Sequence, residues 1–403
     1  MLDDRGELPT GTFEVAVYFA DASVNLYQIR QWYEPLRRLA ERHPVVVIAR
    51  TAGTTCRLLD ECPFPVAYAR RAEDVERFVD EQNLKLVLYV NHHNRNFQMM
   101  RYSQVLHMFL NHGESEKIYM ASNQVKSYDY TCVAGEAAVR RIADRLLNFD
   151  AARRLLPVGR PQVDVDWPAP ELPGDDRTVV CYAPTWEGDR PSMSYTSLRS
   201  HGVDLVRALV ATGRHRVIFK PHPRTGLYDR DARAASREIA AILRQANQRD
   251  PGAHHLTDLE STFGWHGRVA DACICDISAV MFDWLATGKP LLATEPVAPE
   301  AVVDRTGPLG SLPILAAQDA PRIVERLAEA QLQSMGGAYT NLVRRHFGDT
   351  TPGAAMGRFL AACERVIAER DEETARLGIQ VTLPRQVDLV REPGDRVPVH
   401  PQG

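Results

Sequence analysis

What the chain lacks narrows its chemistry first. No glycine-rich phosphate fingerprint of the G-x-G-x-x-G or Walker type follows any apolar run, which argues against a bound nicotinamide cofactor and against an ATPase. The G-x-S-x-G elbow is missing too, and with it the serine-hydrolase arrangement built on that turn. No stretch reaches the roughly 18 apolar residues of a membrane span, and the opening MLDDRGELPTGT has no apolar signal region. A cytoplasmic protein is expected, with contact at the inner face of a membrane left open. Excess charge is absent: 48 basic and 52 acidic residues leave −4 without a basic block, so no nucleic-acid partner is expected and an anionic substrate must be met locally. Cysteine is sparse at seven, an odd number without paired zinc spacing, which fits a reducing compartment. The C-x-C pair Cys273 and Cys275 is read as core. His92 with His93, and His254 with His255, lack a third ligand at short spacing, so no metal site is expected.

What is present is a repeating pattern. From Phe13 onward short apolar runs alternate with amphipathic stretches, the mark of successive βαβ units. FEVAVYFA (13–20), PVVVIA (44–49), KLVLYVN (85–91), LHMFLNH (106–112), YDYTCVAG (128–135) and LLPVG (155–159) are predicted strands. Between the first two, Leu26, Ile29, Tyr33, Leu36 and Leu39 recur at helical spacing. RPQVDVDWPAPELPGDD then has neither period and reads as a linker. A second series follows in TVVCYAP, RVIFKP, HHLTD, VADACICD and PLLAT, with helices near 229–247 and 278–287. The expected class is α/β: two Rossmann-like domains with parallel sheets facing a central cleft. The expected boundaries are 12–163 for an N-terminal acceptor domain, 164–352 for a C-terminal donor domain, 353–370 for a C-terminal helix and 371–403 for a proline-rich tail.

In such sheets ligands sit beyond the carboxyl ends of the strands. Four of those ends are polar here. LHMFLNHGESEK sets His112 and Gly113 after a strand, with Lys117 close by; a histidine held by a rigid element suits a general base, though a surface histidine before a turn glycine reads the same way. YAPTWEGDRP offers Thr185 in a loop that ordinary punctuation also explains. RVIFKPHPRTG carries Lys220, His222 between two prolines, and Arg224, three donors within five residues that suit a diphosphate. CDISAVMFDWL places Asp276 and Ser278 at a helix mouth, where Ser278 is either a plain N-cap or a phosphate contact made together with the free amides. Asp276, a carboxylate, would repel a diphosphate; it braces the loop or meets a ligand hydroxyl.

Taken together and in order, HG…K, YAPTW, KPHP and D-x-S-x-x-x-F-D…KP resemble the CDP-glycerol glycerophosphotransferase family of the teichoic acid polymerase type. The resemblance spans roughly residues 100–365 and includes VGRPQVD between the domains and HFGDTTPGAAMGRF near the end. It implies a GT-B fold and transfer of an alditol phosphate, glycerol phosphate first, from a CDP-activated donor to a polyol-phosphate or lipid-linked glycan acceptor, releasing CMP. Catalytic roles are implied for His112, as general base, and His222, at the donor diphosphate; Gly113, Lys117, Thr185, Lys220, Arg224, Asp276 and Ser278 are expected to bind substrate. No bound cofactor is expected, and Mg2+ from solution is compatible with the reaction. The oligomeric state is left open. One departure stands out: Glu187 occupies the place where the family often has an arginine, which removes an expected phosphate clamp. That departure gives weight to the rival reading, a GT-B glycosyltransferase using a nucleotide sugar for a surface glycan. A catalytically silent binding domain is a third reading, against which the paired histidines argue.

Overall fold

The computed structural model describes residues 8–113, 121–259, 262–303, 305, 308–335 and 338–379. Its first sheet has seven strands, β1 (Val15–Phe19), β2 (Val45–Ala49), β3 (Val66–Tyr68), β4 (Leu86–Tyr89), β5 (Leu106–Phe109), β6 (Tyr130–Val133) and β7 (Leu155–Pro157). They are ordered β3-β2-β1-β4-β5-β6-β7 and every pairing is parallel. The second has six, β8 (Thr178–Ala183), β9 (His215–Phe219), β10 (Leu256–Thr257), β11 (Ala272–Cys275), β12 (Leu291–Thr294) and β13 (Ile314–Leu315), ordered β10-β9-β8-β11-β12-β13. These pairings are parallel as well. Both orders turn back on themselves beside their first strand, at β1/β4 and at β8/β11, and such reversals open a crevice at the strands' carboxyl ends.

Helices cover both faces of each sheet, so successive strand residues are all buried and the strands read as unbroken Val and Ile runs instead of alternating. Two strands escape the sequence reading, β3 and β13, at three and two residues too short to show a period. The predicted helix between β1 and β2 is two pieces, Tyr27–Arg30 and Tyr33–Ala40. Pro35 supplies the reason: it has no N–H for the Gln31 carbonyl four residues back, so the ladder breaks at Gln31 and Trp32. Both side chains leave the helix line and bind the turn after β5, as described below.

The chain returns to its first domain at the end. The helix Ala354–Leu377 sinks Phe359, Cys363, Val366 and Ile367 into the core of Val15, Val17, Leu86 and Leu88. Its first turn is held by the Asp164 carboxylate, which accepts the Met356 N–H at 2.7 Å, while Gly159 at φ +82° lets the outgoing linker pass where a side chain would meet Ala355 and Arg358. The helix runs through 371–377, the start of the segment expected to be a tail. DEETARL has no apolar stripe to announce it, yet consists mostly of strong helix formers, and Gly378 ends it at φ +64°. The rest of the expected tail lies outside the described residues.

Candidate functional site

Beyond the carboxyl ends of β8, β9 and β11 lies a cavity of about 180 Å³ that the first domain closes from the other side. The second domain contributes Thr185, Trp186, Lys220, His222 and Ser278, and the first contributes Tyr27, Gln31, His112 and Gly113. Six of the nine residues expected from sequence thus meet in one place, with Arg224 stacked on its wall. Asp276 stays outside, and Lys117 lies outside the described residues.

His112 ends the strand β5 segment in a turn whose Asn111 is left-handed, φ +63°. Its Nδ1 lies 3.1 Å from the Val90 carbonyl. A carbonyl only accepts, so Nδ1 carries a proton and donates it, which in the neutral tautomer makes Nε2 the acceptor nitrogen. The turn is fastened by the two residues released at the helix break: the Gln31 amide donates to the His112 carbonyl at 2.6 Å and the Trp32 indole N–H to the Asn111 carbonyl at 2.7 Å. Gly113 abuts the Ala279 methyl, which a Cβ at position 113 would overlap. Glycine here is a condition of the two domains meeting.

His222 is held the other way round. Its Nδ1 lies 3.1 Å from the Arg224 backbone nitrogen, an obligatory donor, so Nδ1 accepts and the proton of the neutral ring sits on Nε2. Tyr27 stands edge-on to both rings, 5.2 Å from His222 and 6.3 Å from His112, and burial raises its phenol pKa, keeping it neutral. Lys220 is buried beneath His222, which lowers the pKa of its ammonium, and Asp258 at 3.9 Å opposes that shift. The Arg224 guanidinium lies 3.9 Å from the centre of the Trp186 ring, a cation–π contact at the edge of the cavity.

Ser278 settles the choice between cap and ligand on one point. It precedes the helix Ala279–Leu285 in extended backbone, yet its hydroxyl makes no capping hydrogen bond and is buried at the cavity wall with no hydrogen-bond partner among the described residues. A plain N-cap would use that oxygen. Asp276, expected among the substrate contacts, is fully buried and accepts hydrogen bonds from the N–H groups of Thr185 at 2.6 Å and Ser197 at 3.1 Å and from the Thr294 hydroxyl at 2.5 Å. Burial raises its pKa to about 6, against those hydrogen bonds. It ties the loop after β8 to the strand ends, the bracing role that the sequence reading left open for it.

Glu187 also reads differently in three dimensions. Its buried carboxylate accepts backbone N–H groups from Gly226 at 2.9 Å, Tyr228 at 2.7 Å and Asp229 at 3.1 Å. It shapes the segment that follows His222 and Arg224, and nothing places it against a donor phosphate. Sequence reasoning missed this role, along with Tyr27, Gln31 and Trp186. Only Pro35 carried a local signal, the helix break that frees Gln31. Among the described residues no group of three or more His, Cys, Asp or Glu side chains has metal-binding geometry.

The fold and the cleft define a GT-B transferase architecture. Solved structures share it: the wall teichoic acid polymerase TagF superposes with a TM-score of 0.55 at 13% identity, over 89% of this chain and 90% of that one. MnaA of S. aureus, in a co-structure with UDP, gives 0.51 at 11% identity over 92% and 99%. No curated protein sequence matches significantly. Residues 73–296, more than half of the chain, match the CDP-glycerol:poly(glycerophosphate) glycerophosphotransferase family, and the chain belongs to that family of transferases. No helix among the described residues is long and apolar enough to cross a membrane.

Proposed function

We propose that the protein transfers an alditol phosphate, glycerol phosphate in the first instance, from a CDP-alditol to a hydroxyl of a teichoic-acid-type or capsule-like acceptor. The observation that carries this reading is the opposed pair of histidines in one cavity, an acceptor nitrogen on His112 and a donor nitrogen on His222. The donor diphosphate lies over Lys220, His222, Arg224 and Ser278. The acceptor hydroxyl approaches from the first domain beside His112. Its oxygen attacks the β-phosphorus and its proton passes to His112 Nε2. The bond from that phosphorus to the bridging oxygen breaks, and CMP leaves with the oxygen.

A base at this position supplies roughly 10² to 10⁴ in rate, and the remaining acceleration comes from fixed donors around the phosphoryl oxygens. Membership of the transferase family supports the reading. Glu187 has a structural use of its own, accepting three backbone N–H groups, so its presence is explained without reference to the donor. The test is CMP release from a panel of CDP-alditols with a glycerophosphate-primed acceptor, run beside UDP- and CMP-sugars. Turnover of CDP-glycerol is expected; turnover of sugars alone would overturn the assignment.

A further inference from the structure

The phosphate-binding helix and the base belong to different domains, and one buried side chain touches both supports. Arg160, in the linker just after β7, forms a forked ion pair with Asp283 of the helix Ala279–Leu285, Nε to Oδ1 at 2.7 Å and Nη2 to Oδ2 at 3.1 Å. The same Nη2 donates to the Gln31 side-chain oxygen at 3.1 Å. Gln31 in turn donates its amide to the His112 carbonyl. Arg160 is 5% exposed, and Gln31 and Asp283 line the cavity. Ser278 stands at the N-terminal end of the helix that Asp283 anchors, so an unbroken chain of contacts runs from the phosphate end of one domain to the base of the other.

We infer that Arg160 is a positioning residue: its guanidinium fixes the register between the two domains so that His112 and the phosphate site face each other at reacting distance. A forked pair suits this task. Guanidinium and carboxylate meet in one plane through two parallel bonds, which fixes angle as well as distance, and a lysine in the same place would supply charge without orientation. Burial makes the arrangement unforgiving, since each member left alone is a desolvated charge. The inference rests on the proposed transfer for its kinetic reading but not for its geometry.

The experiment uses the full-length protein with Arg160→Lys, Gln31→Met and the double variant, and one spin label on each domain at exposed sites remote from the cleft. Arg160→Lys is expected to lower kcat by about 10²-fold, the scale of an ångström-sized misplacement of reacting groups. CDP-glycerol affinity should stay near that of the wild type, because the donor contacts all belong to one domain. The double variant should be no worse than Arg160→Lys alone, and the interdomain distance distribution should broaden. Guanidinium ion added to Arg160→Ala should restore part of the rate. Losses in the two single variants that multiply, an unchanged distance distribution, or a rate loss explained wholly by a smaller folded fraction would each overturn the inference. If the wild type itself releases no CMP, the functional reading fails while the distance measurement still decides the positioning role.

Discussion

His112 and His222 face one cavity, yet opposite ends of the peptide bond hold them at the same ring atom. His112 Nδ1 gives its proton to the Val90 carbonyl, whereas His222 Nδ1 receives the Arg224 N–H. The first ring therefore offers a lone pair at Nε2 and the second a proton. Their surroundings differ to match. Backbone carbonyls, Gln31 and Trp32 secure the His112 turn, while Lys220, Arg224 and the unpartnered Ser278 hydroxyl surround the approach to His222. One residue type is given two different settings at these positions by what sits behind each ring.

The comparison breaks most sharply by substitution. His112→Ala should lower kcat by about 10² to 10⁴, the worth of a positioned base; a loss below fivefold in steady-state turnover would remove it from the proton transfer. His222→Ala should weaken CDP-glycerol binding by about 10- to 100-fold, the scale of a charge-assisted hydrogen bond, as read by calorimetric titration. Glu187→Arg separates sequence alignment from structure. If position 187 were a vacant phosphate clamp, arginine there would strengthen donor binding. The structure predicts a loss instead, with donor affinity falling and the unfolding free energy from urea titration dropping by about 2 kcal/mol or more, because three backbone N–H groups lose their acceptor and gain a buried cation. Ser278→Ala should cost about tenfold in donor affinity and leave thermal stability unchanged, since its hydroxyl caps nothing; a lowered Tm with intact affinity would return it to the capping role.

A separate effect, on stability instead of turnover, comes from histidines that do neither job. Burial pushes His92, His255 and His346 down to about 4. The unfolded chain takes up these protons near pH 6.5 and the folded chain only near 4, so stability rises with pH across that window and is lost as pH falls through it. Asp276, raised to about 6, works in the opposite direction over the lower part of the window. Burial lowers His107, His201, His215 and His266 as well, so the histidines outweigh Asp276 and Tm should fall between pH 6.5 and 4; a flat profile would contradict the burial of these rings.

The sheets were legible because a strand covered on both faces must be apolar throughout, and runs such as VVVIA and LVLY have no other use in a chain of this length. The strand-end motifs were legible because parallel sheets deliver function to their carboxyl ends. What stayed hidden depends on meetings between distant residues. Glu187 and the segment 226–229 are about forty residues apart, and a carboxylate facing backbone amides leaves no pattern in either stretch. Arg160 and Asp283 sit in different domains, 123 residues apart, so neither stretch announces the pairing. Tyr27 looked like one more residue of an amphipathic segment until the break at Gln31 and Trp32 set it between two histidines. Asp276 was ambiguous for a simpler reason: a carboxylate at a strand end either meets a ligand or holds a loop, and the donors that reach it from Thr185, Ser197 and Thr294 come from stretches distant in sequence.

The division of labour between the two histidines is tested most directly by titrating CDP-glycerol into His112→Ala and His222→Ala side by side under identical conditions. The account predicts that His112→Ala binds the donor as the wild type does, while His222→Ala binds it at least about tenfold more weakly. Equal losses of affinity in the two variants would contradict it.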